Sequence, residues 1–489
     1  MEDLWWEKPL WLRRPVLDLL LGRGGKASSS GKRHRKRVEN KQPRRGDPFG
    51  QGLAKWWLPI PRNAWEELER PEVYDESSWD GKRFASVYGV PKKIFDELVQ
   101  EAARHEHLEG KREHGDGRRG PISKPLELKV AAVLEICQAN LLFKTAERLY
   151  KISTSVLDNF FRDFMRAQVE HEYAKHVYVP ETPTQVEAIL SKHAMLGMPG
   201  CITMHDGVKW KWKACPFADH YAHVGKEGEP TKLFMVGGDA TKIIHHVSGS
   251  HPGARNDLTA ARYDEYLLSL RHRTRYADHT FELYTGNGDE RVKHSGLWSL
   301  TDNGFHKWRV TQFPAKISSD EWVKRWSKRG ESIRKPGTEC IYGILKKRFR
   351  MLADGCHFKE TELVDDTFRF LCSLHNQLQR HYGLDTIGDD ASDWIAANTD
   401  RDLVRITRDE KETGRVPFLV SDALVGNEVE AEMEPSWAGF RTLLVTHFRV
   451  QWQKKRVMWL KTAAECRPGY RTNPAIRRKA DGQEEELDE

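Results

Sequence analysis

Three acidic residues lie where a carboxylate could take part in a reaction. Asp206 falls within a predicted strand at residues 201–210, on the side that the surrounding apolar residues mark for burial. Asp302 ends a later predicted strand, and Glu339 lies near the start of a predicted helix. Because sites in mixed α/β sheets gather at strand ends and adjacent helices, the three side chains are candidates for one shared site.

The chemistry of such a site follows from its charge. Carboxylates that converge repel one another unless cations neutralise them. Oxygen ligands without cysteine or histidine suit Mg²⁺ or Mn²⁺. Two such ions about 4 Å apart activate a nucleophile and stabilise the leaving oxygen when a phosphodiester is cleaved. The residues therefore support the hypothesis that Asp206, Asp302 and Glu339 bind two divalent ions.

Each of the three acids also has a structural interpretation that the sequence leaves open. Asp206 and Gly207 together form a hairpin-turn signal. Residues 302–304 have the composition of a turn. Glu339 could be a first-turn acid that faces a helix dipole.

Alternating and helical patterns around the acids predict the elements that position them. Predicted strands cover residues 200–206, 232–240, 242–249 and 296–305. Predicted helices cover residues 256–272, 337–352 and 365–381. Three strands followed by a helix, a strand and further helices predict an α/β fold with a mixed sheet.

An all-α region precedes this sheet, because residues 80–185 carry apolar residues at helical spacing. A short helix at 143–152, a turn and a longer helix that begins near Ser153 give a helix-turn-helix-like arrangement. Such an arrangement could place its last helix on DNA. A plain helical bundle fits the same pattern.

The composition bounds the class of protein. The 489 residues are 31% charged and 38% hydrophobic, with a net charge of +7, which predicts a folded centre with disordered ends. Seven scattered cysteines without a CxxC pair indicate reduced thiols in a cytosolic or nuclear protein. No uncharged apolar run approaches the roughly 20 residues of a membrane helix, so we expect no membrane partner. Acidic residues near the N-terminus argue against a signal peptide.

Residues 22–46 are rich in glycine, serine and basic residues, so we expect them to be disordered. Their run KRHRKR, residues 32–37, fits a nuclear-localisation or phosphate-binding patch. A solvated basic linker is the alternative.

Basic residues near the acids are candidates for DNA contacts. Lys209 and Lys211 alternate with two tryptophans, which fits either phosphate and base contacts or a strand with a packed tryptophan face. Lys346 and Arg350 are expected on the face of the predicted helix that carries Glu339. That face would suit a phosphate backbone that runs alongside the acids.

Histidines outside the acidic set are further candidates for metal ligands. One set of residues has a spacing that could bind zinc: Cys215, His220, His223 and His205. Their spacing is irregular beside established zinc-binding patterns. His245 and His246 are expected to point to opposite faces of a strand and to chelate poorly. His375 and Asn376 are expected to cap or pack the final helix.

Five segments in a fixed order resemble the PIF/Harbinger superfamily of DDE transposases, in its plant-type branch. The matching segments are GMPGCITMHDGVKWKWKACP (197–216), HVSGSHPGARNDL (246–258), LTDNGF (300–305), RKPGTECIYGILKKRF (334–349) and FRFLCSLHNQL (368–378). The resemblance covers about residues 90–384. No single segment is specific, and the evidence lies in their order.

The resemblance implies an RNase H-like nuclease fold with a metal-binding triad, whose members fall on Asp206, Asp302 and Glu339. It implies a DDE transposase or endonuclease that cleaves DNA by a two-metal mechanism using Mg²⁺ or Mn²⁺, with strand transfer. The partners it implies are transposon-end and target DNA and a separate Myb-like DNA-binding protein. We add a homodimer and a nuclear location as expectations. The alternative is a domesticated, non-catalytic DNA-binding protein.

The chain departs from the family pattern close to the third acid. Cys340 and Ile341 replace the usual basic and small residues after Glu339, and the pair Pro336–Gly337 adds a residue before it. Asp257 matches a recurrent position and is expected to support the site, as a helix cap for example. The triad itself is kept.

These observations predict four regions along the chain. They are a basic, largely disordered region (1–79), a helix-turn-helix-like DNA-binding region (80–190), an RNase H-like nuclease domain (191–384) and a polar C-terminal region with one helix and an acidic tail (385–489).

Overall fold

A mixed sheet built around one long strand positions all three acids. The computed structural model describes residues 64–109, 124–315, 318–385, 394–396, 431–454 and 456–460. All of these lie in one compact unit, Arg62–Glu489. The run KRHRKR and the acidic C-terminal tail lie outside the described residues.

The sheet has antiparallel pairing on one side of its central strand and parallel pairing on the other. Strands β1 to β10 are Cys201–Lys211, Thr231–Gly238, Ile244–Val247, His251–Pro252, Thr280–Tyr284, Arg291–Ser295, Trp298–Leu300, Thr311–Gln312, Trp394–Ala396 and Met458–Leu460. The order in the main sheet is β3-β2-β1-β7-β8, and β4 pairs with β2. Strand β2 is antiparallel to both of its neighbours in that order, whereas β7 is parallel to β1 and β8.

Helices cover the sheet and precede it. Before the sheet, α1 to α9 span Ala64–Glu69, Trp79–Tyr88, Lys92–Ala103, Glu106–Glu109, Leu126–Ala139, Phe143–Tyr150, Thr154–Ala167, Tyr173–His176 and Pro183–Met195. From β1 onwards, α10 to α17 span His220–His223, Asp257–Ala261, Glu265–Arg271, Glu321–Lys335, Ile341–Arg348, Arg350–Asp354, Thr361–His381 and Pro435–Gln453. The predicted α/β class, a mixed sheet flanked by helices, is confirmed.

The sequence also missed elements. The hairpin β5–β6 and helix α13 were not predicted, because β6 is an exposed and strongly polar strand and α13 is rich in charged residues. Residues 64–79, assigned to the disordered N-terminal region, form α1 and a 3₁₀ turn at Pro71–Tyr74.

Alternate residues of β1 and β2 contact different layers, as a two-sided strand requires. Val208 and Phe234 join a core that extends into α2, α3, α5, α7 and α16. Leu233 and Met235 join a second core with Leu267 of α12. The helical region before the sheet therefore shares one hydrophobic core with one face of it. Within the described ranges, every helix is too short or too polar to cross a bilayer.

Helix α17 belongs to the folded unit although it lies in the polar C-terminal region. Its Phe440 and Phe448 are buried with Trp298 of β7 and Trp326 of α13. The one helix predicted for residues 385–489 therefore exists and spans Pro435–Gln453.

The final helix of the sheet module satisfies the backbone of the edge strand β3. Asn376 on α16 accepts a hydrogen bond from the Ile244 amide (2.9 Å) and donates to the Ile244 carbonyl (2.7 Å). His375 Nε2 donates to the Lys242 carbonyl (2.9 Å), in the turn before β3. The prediction that His375 and Asn376 have packing roles is confirmed.

Burial lowers the pKa of His375 to about 3, which makes stability depend on pH. The ring is neutral when folded and would be protonated below about pH 6.5 when unfolded. The stability it contributes is therefore complete above pH 6.5 and is lost as the pH falls towards 3. In His375→Gln, whose amide can still donate to Lys242, the free energy of unfolding should fall less steeply with acid, by up to about 1.4 kcal/mol per pH unit.

Urea unfolding followed by circular dichroism between pH 7.5 and 5 measures this slope. The exposed His220 supplies the matched control, and His220→Gln should follow the wild-type profile. Parallel profiles for His375→Gln and wild type would contradict the assignment.

Candidate active site

Asp206 lies in the middle of strand β1, not in a turn. The ladder with β2 is continuous through it, with Asp206 opposite Val236 and Gly207 opposite Met235. The hairpin-turn interpretation of residues 206 and 207 is therefore wrong. The Tyr342 hydroxyl of α14 donates to the Asp206 carbonyl (2.9 Å), which fixes the helix against this part of the strand.

Asp302 follows strand β7, the parallel neighbour of β1. Its Oδ1 accepts a hydrogen bond from the Gly304 amide (2.8 Å), so it is a turn residue as well as a strand-end acid. Because parallel strands end at the same edge of a sheet, the Asp302 charge acts on Asp206 and contributes to raising the pKa of that residue.

Glu339 lies within a longer helical segment than predicted. The segment begins at Glu321, capped by Asp320, and passes through a π-helical turn at Pro336–Cys340 into α14. The predicted start at residue 337 and the first-turn interpretation of Glu339 are therefore wrong. Proline has no amide to donate, and a wide π turn accommodates an additional residue in a helix. The Pro336–Gly337 insertion is absorbed in this way.

Gly337 allows the π turn to approach the sheet closely. A Cβ at this position would lie 2.7 Å from Met204 Sδ and 3.0 Å from the Asp239 carbonyl oxygen. By contrast, a Cβ at Gly343 would meet nothing within 4 Å, so close packing does not explain that glycine.

Arg334 links two of the three acids, which the sequence did not predict. Its Nη1 lies 2.8 Å from Asp206 Oδ2, and its Nη2 lies 2.8 Å from Glu339 Oε1 and 2.9 Å from Glu331 Oε1. The Arg334 side chain is only 5% exposed, whereas that of Glu339 is 51% exposed. One buried guanidinium therefore holds the carboxylates of β1 and of the helical segment together. The signal in the sequence was Arg334 itself, five residues before Glu339.

Asp257, at the start of α11, is a fourth acid of the cluster. A Cβ at Gly207 would lie 2.3 Å from Asp257 Oδ1, so the carboxylate occupies the space above this glycine. A Cβ at Gly304 would lie 3.8 Å from Asp302 Oδ1 and 3.9 Å from Asp257 Oδ2. The helix cap is Asn256, whose side chain accepts from the Thr259 amide, so the predicted capping role of Asp257 is wrong.

The cluster carries more buried negative charge than Arg334 compensates. Burial raises the pKa of Asp206 to about 7, against the lowering effect of Arg334, and the charges of Asp257 and Asp302 add to the increase. Burial and the Asp302 charge raise the pKa of Asp257 as well. Burial alone would lower the pKa of Arg334, but Glu331, Asp206 and Asp302 raise it. The guanidinium is therefore cationic while Asp206 is poised to exchange a proton.

This donor set fits a hard divalent cation, because it consists of carboxylate oxygens with excess negative charge. Asp206, Asp302 and Glu339 would hold such an ion, with Asp257 beside them. In the described residues, their donor atoms do not form a group within 4.8 Å of one another. Arg334 lies between Asp206 and Glu339, so a cation would have to displace it.

The predicted zinc set of Cys215, His220, His223 and His205 is not assembled in the described part of the chain. His223 is buried, and its Nδ1 lies 2.9 Å from the Thr231 carbonyl oxygen. His220 is exposed.

The residues predicted to contact DNA lie in different environments in the structure. Trp210 and Trp212 are buried and donate to the carbonyls of Met351 and Phe358, so base contacts by these tryptophans are excluded. Lys209 and Lys211 on the other face pair with Glu227 (3.0 Å) and Glu229 (2.6 Å). The two-sided strand interpretation is therefore confirmed.

Lys346 is exposed on α14 and lines a cleft with Lys209, Lys226 and Asp257. Arg350 begins the separate helix α15 and faces Asp354 (3.5 Å). The expectation that Arg350 shares one helix face with Glu339 is wrong, because Phe349 ends α14 in an extended conformation.

The part of the chain that contains these acids resembles a known protein family. Residues 176–381 match the family model described as plant transposon protein. This range contains the strands β1 to β8 and every acid of the cluster. No curated protein and no solved structure matches the chain.

The central position of Arg334 predicts that its removal exposes the repulsion between the acids. In Arg334→Gln the free energy of unfolding without metal should fall by roughly 3 kcal/mol, the lower end of the cost of leaving a buried charge unpaired, because Asp206 can take up a proton. Mn²⁺ should stabilise this variant more than wild type, since no guanidinium competes with the ion.

Urea unfolding with and without Mn²⁺ measures both effects. Arg350→Gln is the matched control, because Arg350 is exposed, and should change stability by less than about 0.5 kcal/mol. Equal stabilisation of Arg334→Gln and wild type by Mn²⁺ would contradict competition between Arg334 and the cation.

Proposed function

We propose that the chain, whose residues 176–381 match the family model described as plant transposon protein, is a DDE transposase or endonuclease of PIF/Harbinger type. It would cleave phosphodiester bonds of DNA, with strand transfer at the same site. The single observation that carries the proposal is the pairing of Asp206 and Glu339, from two separate elements, with the buried Arg334 guanidinium, whose pKa the charge of Asp302 also raises.

The sheet supports an RNase H-like assignment. Three antiparallel strands, β1 to β3, are followed by the parallel strands β7 and β8 on the other side of β1. Asp206 lies on the central strand and Asp302 follows its parallel neighbour. Glu339 is carried by the helical segment that packs on the Met204 end of β1. Neighbouring strands and one helix thus supply the three acids.

The carboxylates would hold the cofactor and orient the reacting groups. Two Mg²⁺ or Mn²⁺ ions, when bound, would supply Lewis-acid activation of a water or 3′-hydroxyl and neutralise charge on the leaving oxygen. Glu339 is exposed enough to move between Arg334 and a cation. The pKa of Asp206 is about 7. Asp206 would therefore lose its proton most readily when a bound cation compensates the negative charge of the carboxylate. Asp257, at the start of α11, would lie beside the reacting phosphate.

A basic cleft beside the acids would accommodate the DNA backbone. It has a volume of about 1010 Å³ and is lined by Lys209, Lys226, Arg255 and Asp257 among others. Tyr221 on its wall is 94% exposed, which suits stacking on a base. Lys226 and Lys346 line the adjoining cleft that also reaches Asp257. We propose that phosphates bind these lysines while the scissile bond lies at the acids.

A second candidate function is a domesticated DNA-binding protein without cleavage. The observation that favours it is the Arg334 guanidinium, which already pairs with both Asp206 and Glu339. If Arg334 keeps this position in the presence of cations, the site would bind DNA but not cleave it.

The molecular partners of the protein and its location in the cell are part of the same proposal. We propose transposon-end and target DNA as substrates, a Myb-like DNA-binding protein as a partner, and a homodimer as the working assembly. A nuclear location fits a protein that acts on chromosomal DNA. The helix-turn-helix-like pair α6–α7 is proposed as a further DNA contact, although the apolar face of α7 is buried in the shared core.

The triad predicts metal-dependent nicking that is lost when any one acid is neutralised. Asp206→Asn, Asp302→Asn and Glu339→Gln should each reduce nicking of supercoiled plasmid in Mn²⁺ by about 1,000-fold or more, because each removes a cation ligand. DNA binding should be retained. Asp354→Asn, which removes only the partner of Arg350, is the control and should keep wild-type activity.

Agarose-gel nicking and filter binding, made on the same preparations, decide between the candidates. Binding without nicking by the wild type would favour the non-catalytic function. Nicking that is equal in wild type and Asp302→Asn would reveal a contaminant and contradict the proposal.

The basic cleft predicts a change in the salt dependence of DNA binding. Lys226→Ala and Lys346→Ala should each weaken binding and reduce the slope of log K against log salt by about one, because each would remove one phosphate contact. Lys293→Ala, on the exposed hairpin strand β6, is the matched control. Fluorescence anisotropy with a labelled duplex measures the slopes, and unchanged slopes in both cleft variants would contradict this path for the DNA.

A further inference from the structure

A second polar cluster lies on the face of the sheet that is opposite Asp206. His205 of β1, Gly237 of β2 and His246 of β3 are in register across three adjacent strands. A Cβ at Gly237 would lie 2.4 Å from His205 Cε1 and 2.5 Å from His205 Nε2. The absence of a side chain on the middle strand lets the His205 ring extend towards His246.

Asp264 completes the cluster from the turn before helix α12. Its Oδ2 lies 2.9 Å from His246 Nε2, while its Oδ1 accepts from the Leu267 amide as the helix cap (2.8 Å). One donor atom from each of His205, His246 and Asp264 lies within 4.8 Å of the others. In the residues that the structure describes, this is the one group of three potential ligands that meets this spacing.

The hydrogen bonds of His205 leave its Nε2 without a partner. Nδ1 lies 3.0 Å from Ser299 Oγ and 3.2 Å from Thr203 Oγ1. The Ser299 hydroxyl donates to the Thr203 carbonyl (3.0 Å) and the Thr203 hydroxyl donates to Ser299 Oγ (3.2 Å), so neither hydroxyl proton is left for Nδ1. Nδ1 is therefore the donor of this neutral ring, and Nε2 carries the lone pair. His205 is fully buried, and its Nε2 has no hydrogen-bond partner. A buried polar atom of this kind is costly unless something binds it.

The adjacent histidine shows what a completed pair looks like. His245 lies at an irregularity in the β2–β3 pairing, between the paired residues Ile244 and His246, and its Nε2 lies 2.9 Å from Asp239 Oδ2. The other oxygen of Asp239 accepts from the Thr241 amide and hydroxyl and from the Ile243 amide. That pair is satisfied by the protein, whereas the cluster of His205, His246 and Asp264 has an unused nitrogen, His205 Nε2.

We infer that His205 Nε2, His246 Nε2 and Asp264 Oδ2 form a binding site for a single Zn²⁺ ion. Two imidazoles and one carboxylate are donors that zinc accepts. The ion would replace the proton that His246 and Asp264 share and would use the free lone pair of His205. Ser299 would act as the second-shell partner that orients the His205 ring.

Zinc binding would require the three ligand atoms to move only a short distance towards one another. Ligand atoms of a tetrahedral zinc site lie roughly 3.3 Å apart, given zinc–nitrogen distances of about 2.0 Å. His246 and Asp264 already meet this spacing, so His205 makes most of the movement. The His246 side chain is 15% exposed, which leaves room for water as a fourth ligand. The bound ion would connect β1 and β3 to the segment between α11 and α12, and so would stabilise the helix that carries Asp257.

Zinc titration of the full chain, made metal-free with a chelator, tests the site. Isothermal calorimetry should give one strong site in wild type, and Co²⁺ should give visible absorption bands of a four-coordinate centre. His246→Gln should weaken Zn²⁺ binding at least tenfold. Asp264→Asn, which keeps an oxygen for the Leu267 amide, should do the same. Thermal unfolding without metal shows whether each variant folds.

Two control variants separate this site from the other candidates. The triple variant Asp206→Asn, Asp302→Asn, Glu339→Gln should keep the strong Zn²⁺ site, so that its loss there would place zinc at the acids and overturn the inference. His220→Gln should bind Zn²⁺ as wild type does, since His220 belongs to the unassembled set. Strong binding that persists in both His246→Gln and Asp264→Asn, or no strong site in wild type, would also overturn it.

Discussion

The ion pairs of Arg334 with Asp206 and Glu339 are the interaction on which the candidate active site depends. They join a strand at the centre of the sheet to a helical segment more than 120 residues later. Because Asp206 and the guanidinium are largely buried, Asp206 can keep its negative charge in this position only beside Arg334 or an equivalent cation. The structure therefore has a built-in need for positive charge at this edge of the sheet, and a divalent ion meets the same need.

Two glycines determine how polar side chains lie on the sheet. Gly207 leaves space for the Asp257 carboxylate, and Gly237 leaves space for the His205 ring. Both occur in strands, where glycine weakens the element and often marks a close approach. Asp206 and His205, adjacent in sequence, point to opposite faces and serve different clusters. A single strand thus supplies an acid to one cluster and a histidine to the other.

The sequence predicted those features that depend on local pattern. The alternation of β1 placed Asp206 on a strand, and helical spacing located α16 close to its observed bounds. It did not predict Arg334 as a bridge, because a contact between residues 206 and 334 depends on tertiary structure. The π turn was likewise hidden, since Pro336 and Gly337 read locally as a helix break. Residues that make long-range pairs were identified by type and order, but their partners were not.

Anomalous diffraction from crystals grown with Mn²⁺ tests the central claim most directly. The account predicts manganese peaks among the carboxylates of Asp206, Asp302 and Glu339, with the Arg334 guanidinium moved away from at least one of them. Absence of manganese at these carboxylates in saturating Mn²⁺, with Arg334 still bound to Asp206 and Glu339, would contradict it.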